Sequence, residues 1–352
     1  MHLEGTILVG REFEPVEGRV VTADDEIVRI EPFSVDSDDV ILPAFVNAHT
    51  HIGDSIAKEA GEGLSLDELV APPDGLKHRL LRAASHAEKV EAMARTLRYM
   101  ESTGTGTVIE FREGGIPGVE AIHDALHGTG VDYGARDIDA VVLGRDDPDV
   151  LSIASGYGAS GARDGDFESV RTATGNADKL FGIHAGERDA DDINAAMDLD
   201  PDFLVHMVHA EPLHLDRLED RGTPVVVCPR SNLVTKVGVP PIAELSARTT
   251  VALGTDNVML DSPSMFREME FAAKLADLPA REVLRMATVN GAAIAGLNRG
   301  VIEEGADAHL LVLDGDSDNL AGAHDLVRAI VRRAGHADVK QVVLDGTPLG
   351  EE

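Results

Sequence analysis

Eight short apolar runs are spaced along the chain, and helical patterns of apolar positions lie between them. The runs occupy residues 41–49, 106–111, 134–144, 150–158, 179–187, 202–210, 223–232 and 249–257. Strands that alternate with helices are typical of α/β proteins with a parallel sheet. Periodicity alone does not distinguish a closed barrel from a doubly wound open sheet. The count of eight favours a (β/α)8 barrel of the TIM type over residues 43–299, close to the roughly 250 residues that this fold needs.

The two ends of the chain follow a different pattern. Segments 1–42 and 300–352 largely alternate apolar and polar positions, as β-hairpins do. Asp345-Gly346 is a dipeptide typical of tight hairpin turns. We therefore expect both ends to join in one small, discontinuous β-sandwich domain beside the barrel.

The net charge is the most extreme bulk property of this sequence. The 352 residues include 63 acidic and 31 basic side chains, which gives a formal net charge of −32. Such a surface repels nucleic acid and anionic membranes, so neither is expected as a partner. The acids are dispersed, and acidic surfaces of this kind are typical of halophilic organisms. The charge therefore predicts a halophilic, archaeal source.

The cellular compartment of the protein is predicted from the N-terminal sequence and from the number of cysteines. The first residues lack a basic segment followed by a long apolar run, so we expect no signal peptide and a cytoplasmic location. A single cysteine, Cys228, excludes an intrachain disulfide framework. A homo-oligomer is compatible with the sequence, but nothing in it predicts the number of subunits.

Polar residues with metal-binding chemistry follow several of the predicted strands. His49 and His51 end the first run, in the stretch LPAFVNAHTHIGDS, and one residue between them places both side chains on the same face of a strand. His184, His206 and Asp256 lie near the ends of the fifth, sixth and eighth runs. The carboxyl ends of barrel strands meet at one mouth. Histidines and a carboxylate gathered there suit zinc, iron or a similar divalent ion.

These motifs resemble a known family. PAFVNAHTH, HAGE, VHMVHAEPLHLDRLEDRGTPVVVCPRSNL and VALGTDN are similar to segments of the amidohydrolase superfamily, in the branch of cytosine, adenosine-type and guanine deaminases and triazine hydrolases. The resemblance extends from residue 43 to the C-terminus. It implies a metal-dependent hydrolase of carbon–nitrogen bonds other than peptide bonds. The expected reaction is ammonia release from an amino-substituted N-heterocycle or nucleoside by attack of a metal-bound hydroxide.

The resemblance also implies roles for individual residues. The implied metal ligands are His49, His51, His184 and Asp256. Asp256 would also help to take a proton from the attacking water, and Glu187 would protonate a ring nitrogen of the substrate. His206 would orient the hydroxide. His209 and Asp54 are assigned at most to outer positions around the site.

The expected cofactor is one divalent metal ion, zinc first and iron as the alternative. Two-metal members of the superfamily bridge their ions with a carboxylated lysine or an acid at the end of the fourth strand. The fourth run here contains no lysine, and Lys179 precedes the fifth strand. The resemblance therefore implies a mononuclear site.

Four further residues are candidates for binding a small-molecule substrate. Arg112 and Glu113 follow the second run, where they could hold a carboxylate, carbonyl or amino group, although a salt bridge within the loop is an equally good interpretation. Ser231 and Asn232 end the seventh run and match a segment near the substrate in the family.

Two alternatives to deamination stay open at this point. The same mononuclear site could hydrolyse a cyclic amide or displace chloride from a heterocycle. A non-catalytic metal-binding protein on the same fold is the other alternative, since a fold does not dictate a function.

Overall fold

The computed structural model describes residues 1–128 and 137–349, and within them the backbone forms sixteen strands and thirteen α-helices. In chain order the strands are β1 (His2–Val9), β2 (Glu14–Ala23), β3 (Glu26–Pro32), β4 (Asp39–Pro43), β5 (Phe45–His51), β6 (Thr105–Arg112), β7 (Asp139–Gly144), β8 (Gly156–Ala159), β9 (Leu180–Ala185), β10 (Phe203–His206), β11 (Val225–Val227), β12 (Val251–Leu253), β13 (Asp256–Asn257), β14 (Leu310–Asp314), β15 (Val339–Leu344) and β16 (Thr347–Pro348).

The helices lie between these strands. The α-helices are α1 (Leu66–Val70), α2 (Leu76–Ala83), α3 (His86–Ser102), α4 (Gly115–His127), α5 (Glu168–Asn176), α6 (Ile193–Asp198), α7 (Pro212–Arg221), α8 (Pro229–Thr235), α9 (Ile242–Ser246), α10 (Met265–Leu275), α11 (Ala280–Met286), α12 (Val289–Ile294) and α13 (Leu326–Arg333). Short 3-10 helices span Ile52–Ala57, Pro148–Ser152 and His336–Asp338. None of the helices in the described ranges is long and apolar enough to cross a membrane.

The larger sheet has the topology of a TIM-type barrel. Its order is β12-β11-β10-β9-β8-β7-β6-β5-β13, and every pairing is parallel. Only Gly254 and Thr255 separate β12 from β13, so one passage of the chain pairs with β11 and then with β5. These two strands therefore join the edges of the sheet and serve together as the eighth strand of the predicted barrel.

Gly254 allows the eighth strand to approach β5 closely. A Cβ atom on Gly254 would lie 2.7 Å from the Cβ atom of His49 and 2.9 Å from its backbone nitrogen and oxygen. These separations are shorter than van der Waals contact, so a larger residue would push β13 away from β5. The absence of a side chain at this position keeps Asp256 beside His49.

The terminal segments meet in one seven-stranded sheet, of order β16-β15-β14-β4-β1-β2-β3. Leu8, Leu42 and Leu311 on one face of this sheet belong to the same apolar core as α3 and much of the barrel. The opposite face packs against Val301 and Ile302, which precede β14. Loop and helix residues cover the second face where a sandwich would have another sheet, so among the described strands the ends form a single sheet and the β-sandwich is not confirmed.

Two of the predicted runs divide into different elements. Run 41–49 contains the end of β4 and most of β5, and the chain passes from one sheet to the other at Ala44. Run 150–158 begins in the 3-10 helix Pro148–Ser152, where the Asp147 side chain accepts a hydrogen bond from the backbone N–H of Asp149, and only its end lies in β8. In run 134–144 the strand begins at residue 139, and residues 134–136 lie outside the described residues.

Candidate active site

The barrel brings the four predicted metal ligands and His206 together at the carboxyl ends of its strands. Nε2 of His51 lies 3.4 Å from Nε2 of His184, and Nε2 of His49 lies 3.3 Å from Oδ1 of Asp256. The same Asp256 oxygen is 3.6 Å from His51 Nε2. His49 also forms a compact group with His206 and Asp256. All five side chains are buried, so their polar atoms converge on one enclosed point.

Hydrogen bonds from outside the cluster fix the orientation of two imidazole rings. Nδ1 of His51 lies 3.1 Å from the carbonyl oxygen of Phe111 and 2.8 Å from Oε1 of Glu113. Nδ1 of His184 lies 2.8 Å from the carbonyl oxygen of Ala159. Since these oxygens only accept, each Nδ1 carries the proton and each Nε2 keeps its lone pair towards the cluster. Metal-ligating histidines have this arrangement.

The donor set fits a divalent ion. Within the described residues, neither ring nitrogen of His49 makes a hydrogen bond, and Oδ1 of Asp256 also lacks one. Buried polar atoms without partners are costly, and two lone pairs facing each other repel. A cation held between three imidazole nitrogens and one carboxylate oxygen would satisfy all of these atoms.

The protonation states of these residues are those of metal ligands. Burial lowers the pKa of His49 and takes the pKa of His51 to about 3. Burial and the neighbouring rings place the pKa of His184 well below its usual value. Burial opposes ionisation of Asp256, but the close approach of the His49 ring and the other nearby histidines hold the pKa of Asp256 well below the usual range. Neutral imidazoles and an ionised carboxylate at neutral pH are the forms that bind a metal.

Glu187 lies beside this cluster but outside it. It follows β9 after Gly186, and its Oε2 is 3.7 Å from Nε2 of His206. Its side chain lines the same cavity as His184 and Asp256. Burial raises the pKa of Glu187, against the opposing effect of His206. A carboxyl group with a raised pKa, held at the edge of a cavity, is suited to deliver and take back a proton.

His206 and Asp256 have unusual backbone conformations. Their φ angles are +78° and +57°, in the left-handed region that non-glycine residues rarely adopt. His206 is the last residue of β10, and Asp256 is the first residue of the two-residue strand β13. Conformations of this kind cost energy and concentrate at functional sites, where the surrounding structure holds them.

Ser231 and Asn232 contact two side chains of the cluster. The hydroxyl of Ser231 donates to Oδ2 of Asp256 over 2.6 Å, and Nδ2 of Asn232 donates to Nδ1 of His206 over 3.1 Å. An acceptor at Nδ1 leaves the proton of His206 on Nε2, the atom that faces Glu187. Neither residue lines the cavity, so in this structure both orient protein side chains.

A buried glutamate supports the helix that carries these two residues. Glu268 on α10 accepts a hydrogen bond from the backbone N–H of Arg230, in the first turn of α8, over 3.1 Å. The guanidinium of Arg230 lies 3.3 Å from its other oxygen. Glu268 is fully buried, and burial raises its pKa to about 8.

This carboxyl group predicts a pH dependence of stability. Between pH 4.5, the ordinary value for a glutamate, and pH 8, the folded protein keeps a proton that the unfolded chain releases. The free energy of unfolding should therefore fall as the pH rises through this window, by up to about 1.4 kcal/mol per pH unit. Glu268→Gln should flatten that part of the curve, measured as the midpoint of thermal unfolding from pH 5 to 8.5. Glu270→Gln, on the outer side of the same helix beside Lys274, should leave the slope as it is.

Arg112 and Glu113 are engaged with other protein groups. Arg112 donates to Glu110 over 3.1 Å and to Glu113 over 2.9 Å, and it fills the space where a Cβ atom of Gly53 would lie. Oε1 of Glu113 lies 2.8 Å from Nδ1 of His51. Neither residue lines the cavity that contains Glu187, so the salt-bridge interpretation describes their geometry here.

Two of the cavity-lining cations that the sequence interpretation missed are buried. Lys77 on α2 and Arg145, directly after β7, both line the cavity. Arg145 could have been found because it directly follows a predicted strand, on the side of the barrel where active sites lie. Lys77 belongs to the insertion between β5 and α3, where no periodic signal relates a residue to the barrel mouth.

The remaining candidates lie at the margin of the site. Oδ1 of the fully buried Asp54 accepts a hydrogen bond from the backbone N–H of Met259. His209 follows β10 and belongs to none of the ligand groups in the described residues. Lys179 donates to the carbonyl oxygens of Leu151 and Ala154 at the amino end of β9, away from the mouth.

Comparison with known proteins relates this chain to one family. The model of the Amidohydrolase family matches residues 40–138 and 164–349. A protein of Methanocaldococcus jannaschii that is named as uncharacterized is 32% identical, over 96% of each chain. A 5-methylthioadenosine/S-adenosylhomocysteine deaminase of Haloarcula marismortui is 29% identical, over 94% of this chain and 86% of the relative.

Solved structures share the fold at lower identity. An adenosine deaminase from Xanthomonas campestris with bound zinc has a TM-score of 0.77 and 20% identity, over 99% of this chain and 92% of the other. An atrazine chlorohydrolase from Arthrobacter aurescens complexed with zinc has a TM-score of 0.81 and 19% identity, over 99% and 95%. These structural likenesses concern the fold alone. The halophilic source that the acidic composition predicts stays a prediction.

Proposed function

The chain belongs to the amidohydrolase family, and we propose that it is a metal-dependent aminohydrolase that releases ammonia from an amino-substituted N-heterocycle or its nucleoside. The observation that carries this proposal is the pairing of a metal-ready cluster with Glu187. A carboxyl group whose pKa is raised by burial lies at the cavity, next to His206 and outside the ligand set. Such a group has a use in chemistry on a ring nitrogen, and it has little use in a protein that only stores metal.

The proposed ligands are His49, His51, His184 and Asp256. A divalent ion held by them would lower the pKa of a bound water from about 15.7 towards 7. We propose one ion, because β8 offers no lysine or acid to bridge a second. Zinc is the first candidate and iron the alternative, since both accept this set of ligands.

The side chains divide the proton transfers between them. Glu187 gives its proton to the ring nitrogen next to the carbon that carries the amino group, which makes that carbon more electrophilic. Asp256 accepts a proton from the attacking water. His206 keeps its proton on Nε2 and orients the oxygen nucleophile by donating to it. Asp256 then passes its proton to the amino group, which leaves as ammonia, and the proton lost from the hydroxyl group on the same carbon restores the protonated form of Glu187.

The names of the relatives direct the choice of substrate. Deaminases of 5-methylthioadenosine, S-adenosylhomocysteine and 5′-deoxyadenosine occur among them. We therefore place adenine nucleosides first among the candidate substrates, followed by guanine, cytosine and pterin compounds. Dechlorination is the weaker candidate, because its support is a shared fold.

The test is ammonia release from a panel of these compounds by zinc-loaded or iron-loaded protein in molar salt, with His49→Ala as the control. Ammonia release that requires His49 supports the proposal, and the compound that is deaminated identifies the class of heterocycle. If no compound in the panel is deaminated while metal is bound at one equivalent, the proposal fails, and cyclic amides and chlorinated heterocycles become the substrates to assay.

A further inference from the structure

Two buried cations outside the proposed ligand set face the active-site cavity. Arg145 is 7% exposed and Lys77 is 2% exposed, and both line the cavity together with Glu187. Arg145 is fixed in place by the loop that follows it. Asp146 adopts a left-handed conformation, with φ +72°, and its carboxylate accepts a hydrogen bond from the backbone N–H of Gly114 over 2.7 Å.

Arg145 has few partners for a buried guanidinium. Among the residues that the structure describes, its side chain makes one hydrogen bond, from Nη1 to Oε1 of Glu113 over 3.3 Å. The same oxygen is 2.7 Å from Nζ of Lys77 and 2.8 Å from the ring of His51. A guanidinium presents five N–H donors, and a buried charge that lacks partners is costly. Most of the hydrogen-bonding capacity of Arg145 is therefore left for a ligand in the cavity.

Buried ion pairs surround Arg145. Three cations, Lys77, Arg112 and Arg145, lie against two carboxylates, Glu110 and Glu113. All five side chains are at least nine-tenths buried. Within these ion pairs the cations outnumber the carboxylates by one, whereas the whole chain carries −32. An anion in the cavity would balance the extra cation, and the low dielectric of a buried wall would strengthen the attraction.

We propose that Arg145 and Lys77 form a subsite for an anionic substituent of the substrate, a phosphate or a carboxylate. The inference rests on the proposed function and narrows its substrate to a charged heterocycle derivative. The planar guanidinium matches either oxyanion with two parallel hydrogen bonds, and the ammonium adds a point charge. Glu187 follows β9 and His206 ends β10, whereas Arg145 follows β7 and Lys77 lies on α2. The substrate therefore extends across the mouth, with its ring at Glu187 and its anionic group at Arg145.

Matched substrates test this subsite. Ammonia release is measured for a neutral aminated nucleoside, for its 5′-phosphate and for an analogue with a carboxylate in place of the phosphate, using metal-loaded wild-type protein and Arg145→Met. The wild type should prefer an anionic member. Arg145→Met should lower the ratio of kcat/KM between that anionic member and the neutral nucleoside by about 10- to 100-fold, mainly through KM. Whichever anion shows the larger change identifies the group that is bound.

Two further variants separate the subsite from general charge effects. Arg145→Lys keeps the positive charge and should restore part of the ratio. Arg248→Met removes one positive charge from the outer surface, where Arg248 pairs with Asp216 and Glu219, and should leave the ratio unchanged. Equal losses for neutral and anionic members in Arg145→Met would show that Arg145 only supports Glu113, and they would overturn the proposal.

Failure of the subsite is distinguishable from failure of the proposed function. Ammonia release without any preference for anionic compounds refutes the subsite and keeps the aminohydrolase. If no compound is deaminated, the proposed function fails, and titration calorimetry with inorganic phosphate decides on the subsite. Metal-loaded wild type must then bind phosphate at least about tenfold more tightly than Arg145→Met does, or the subsite is refuted as well.

Discussion

Glu187→Gln is expected to lower turnover by about 10²- to 10⁴-fold, the usual contribution of a positioned acid or base. Glutamine has nearly the same shape, but its amide cannot deliver a proton to a ring nitrogen. Glu187 lies 3.7 Å from His206 and outside the ligand cluster, so the variant should still bind one equivalent of metal. Steady-state ammonia release and metal content by elemental analysis measure the two effects separately.

The matched control is Glu120→Gln, which removes a carboxylate from the exposed side of α4. It should keep both turnover and metal. Full activity in Glu187→Gln would show that another group moves the proton. A parallel loss of metal and activity would show instead that Glu187 supports the ligand cluster.

His49→Ala should lose both metal and turnover, the latter by about 10³-fold or more, because a water without the ion keeps its high pKa. His49 is fully buried, and both of its ring nitrogens lack hydrogen bonds. It belongs to two groups of possible metal ligands, one with His51 and His184 and one with His206 and Asp256. The readouts are metal stoichiometry after dialysis and ammonia release with excess metal added back.

His127→Ala is its control, since His127 ends α4 on the outside of the barrel. This variant should retain metal and activity. If His49→Ala kept one equivalent of tightly bound metal, the ligand set proposed from the strand ends would be wrong. A folded His49→Ala protein, shown by unchanged circular dichroism, is needed for either conclusion.

The residues at the strand ends could be predicted from the sequence, because side chains that can bind a metal follow apolar runs with the pattern of strands. His49 and His51 alternate on one strand, and Asp256 follows a short apolar run, so the rule that barrel strands end at one mouth was enough to group them. The supporting groups could not be predicted in the same way. Glu268 reaches Arg230 from another helix, and no local pattern relates two residues 38 positions apart.

Side-chain direction was the main limit on assigning roles. Arg112 and Glu113 follow the second strand as predicted, but a residue at a strand end can turn into the cavity or into the wall. Burial between Gly53 and Glu110 directs Arg112 into the wall, and this depends on the insertion after β5. For Ser231 and Asn232, the start of α8 immediately after Cys228 decides which side chain of the cluster each one contacts.

The sheet made from both ends of the chain has a consequence for biosynthesis. β4 pairs with β1 on one side and with β14 on the other, although about 270 residues separate β4 from β14. As the chain leaves the ribosome, β1 to β4 can pair with each other, but the side of β4 that β14 will cover stays open until the barrel has been made. Unpaired strand edges of this kind invite aggregation, and such distant pairing is slow to form. The last strands to be synthesised therefore close the first sheet, and a nascent chain stalled before β14 should be the species most in need of a chaperone.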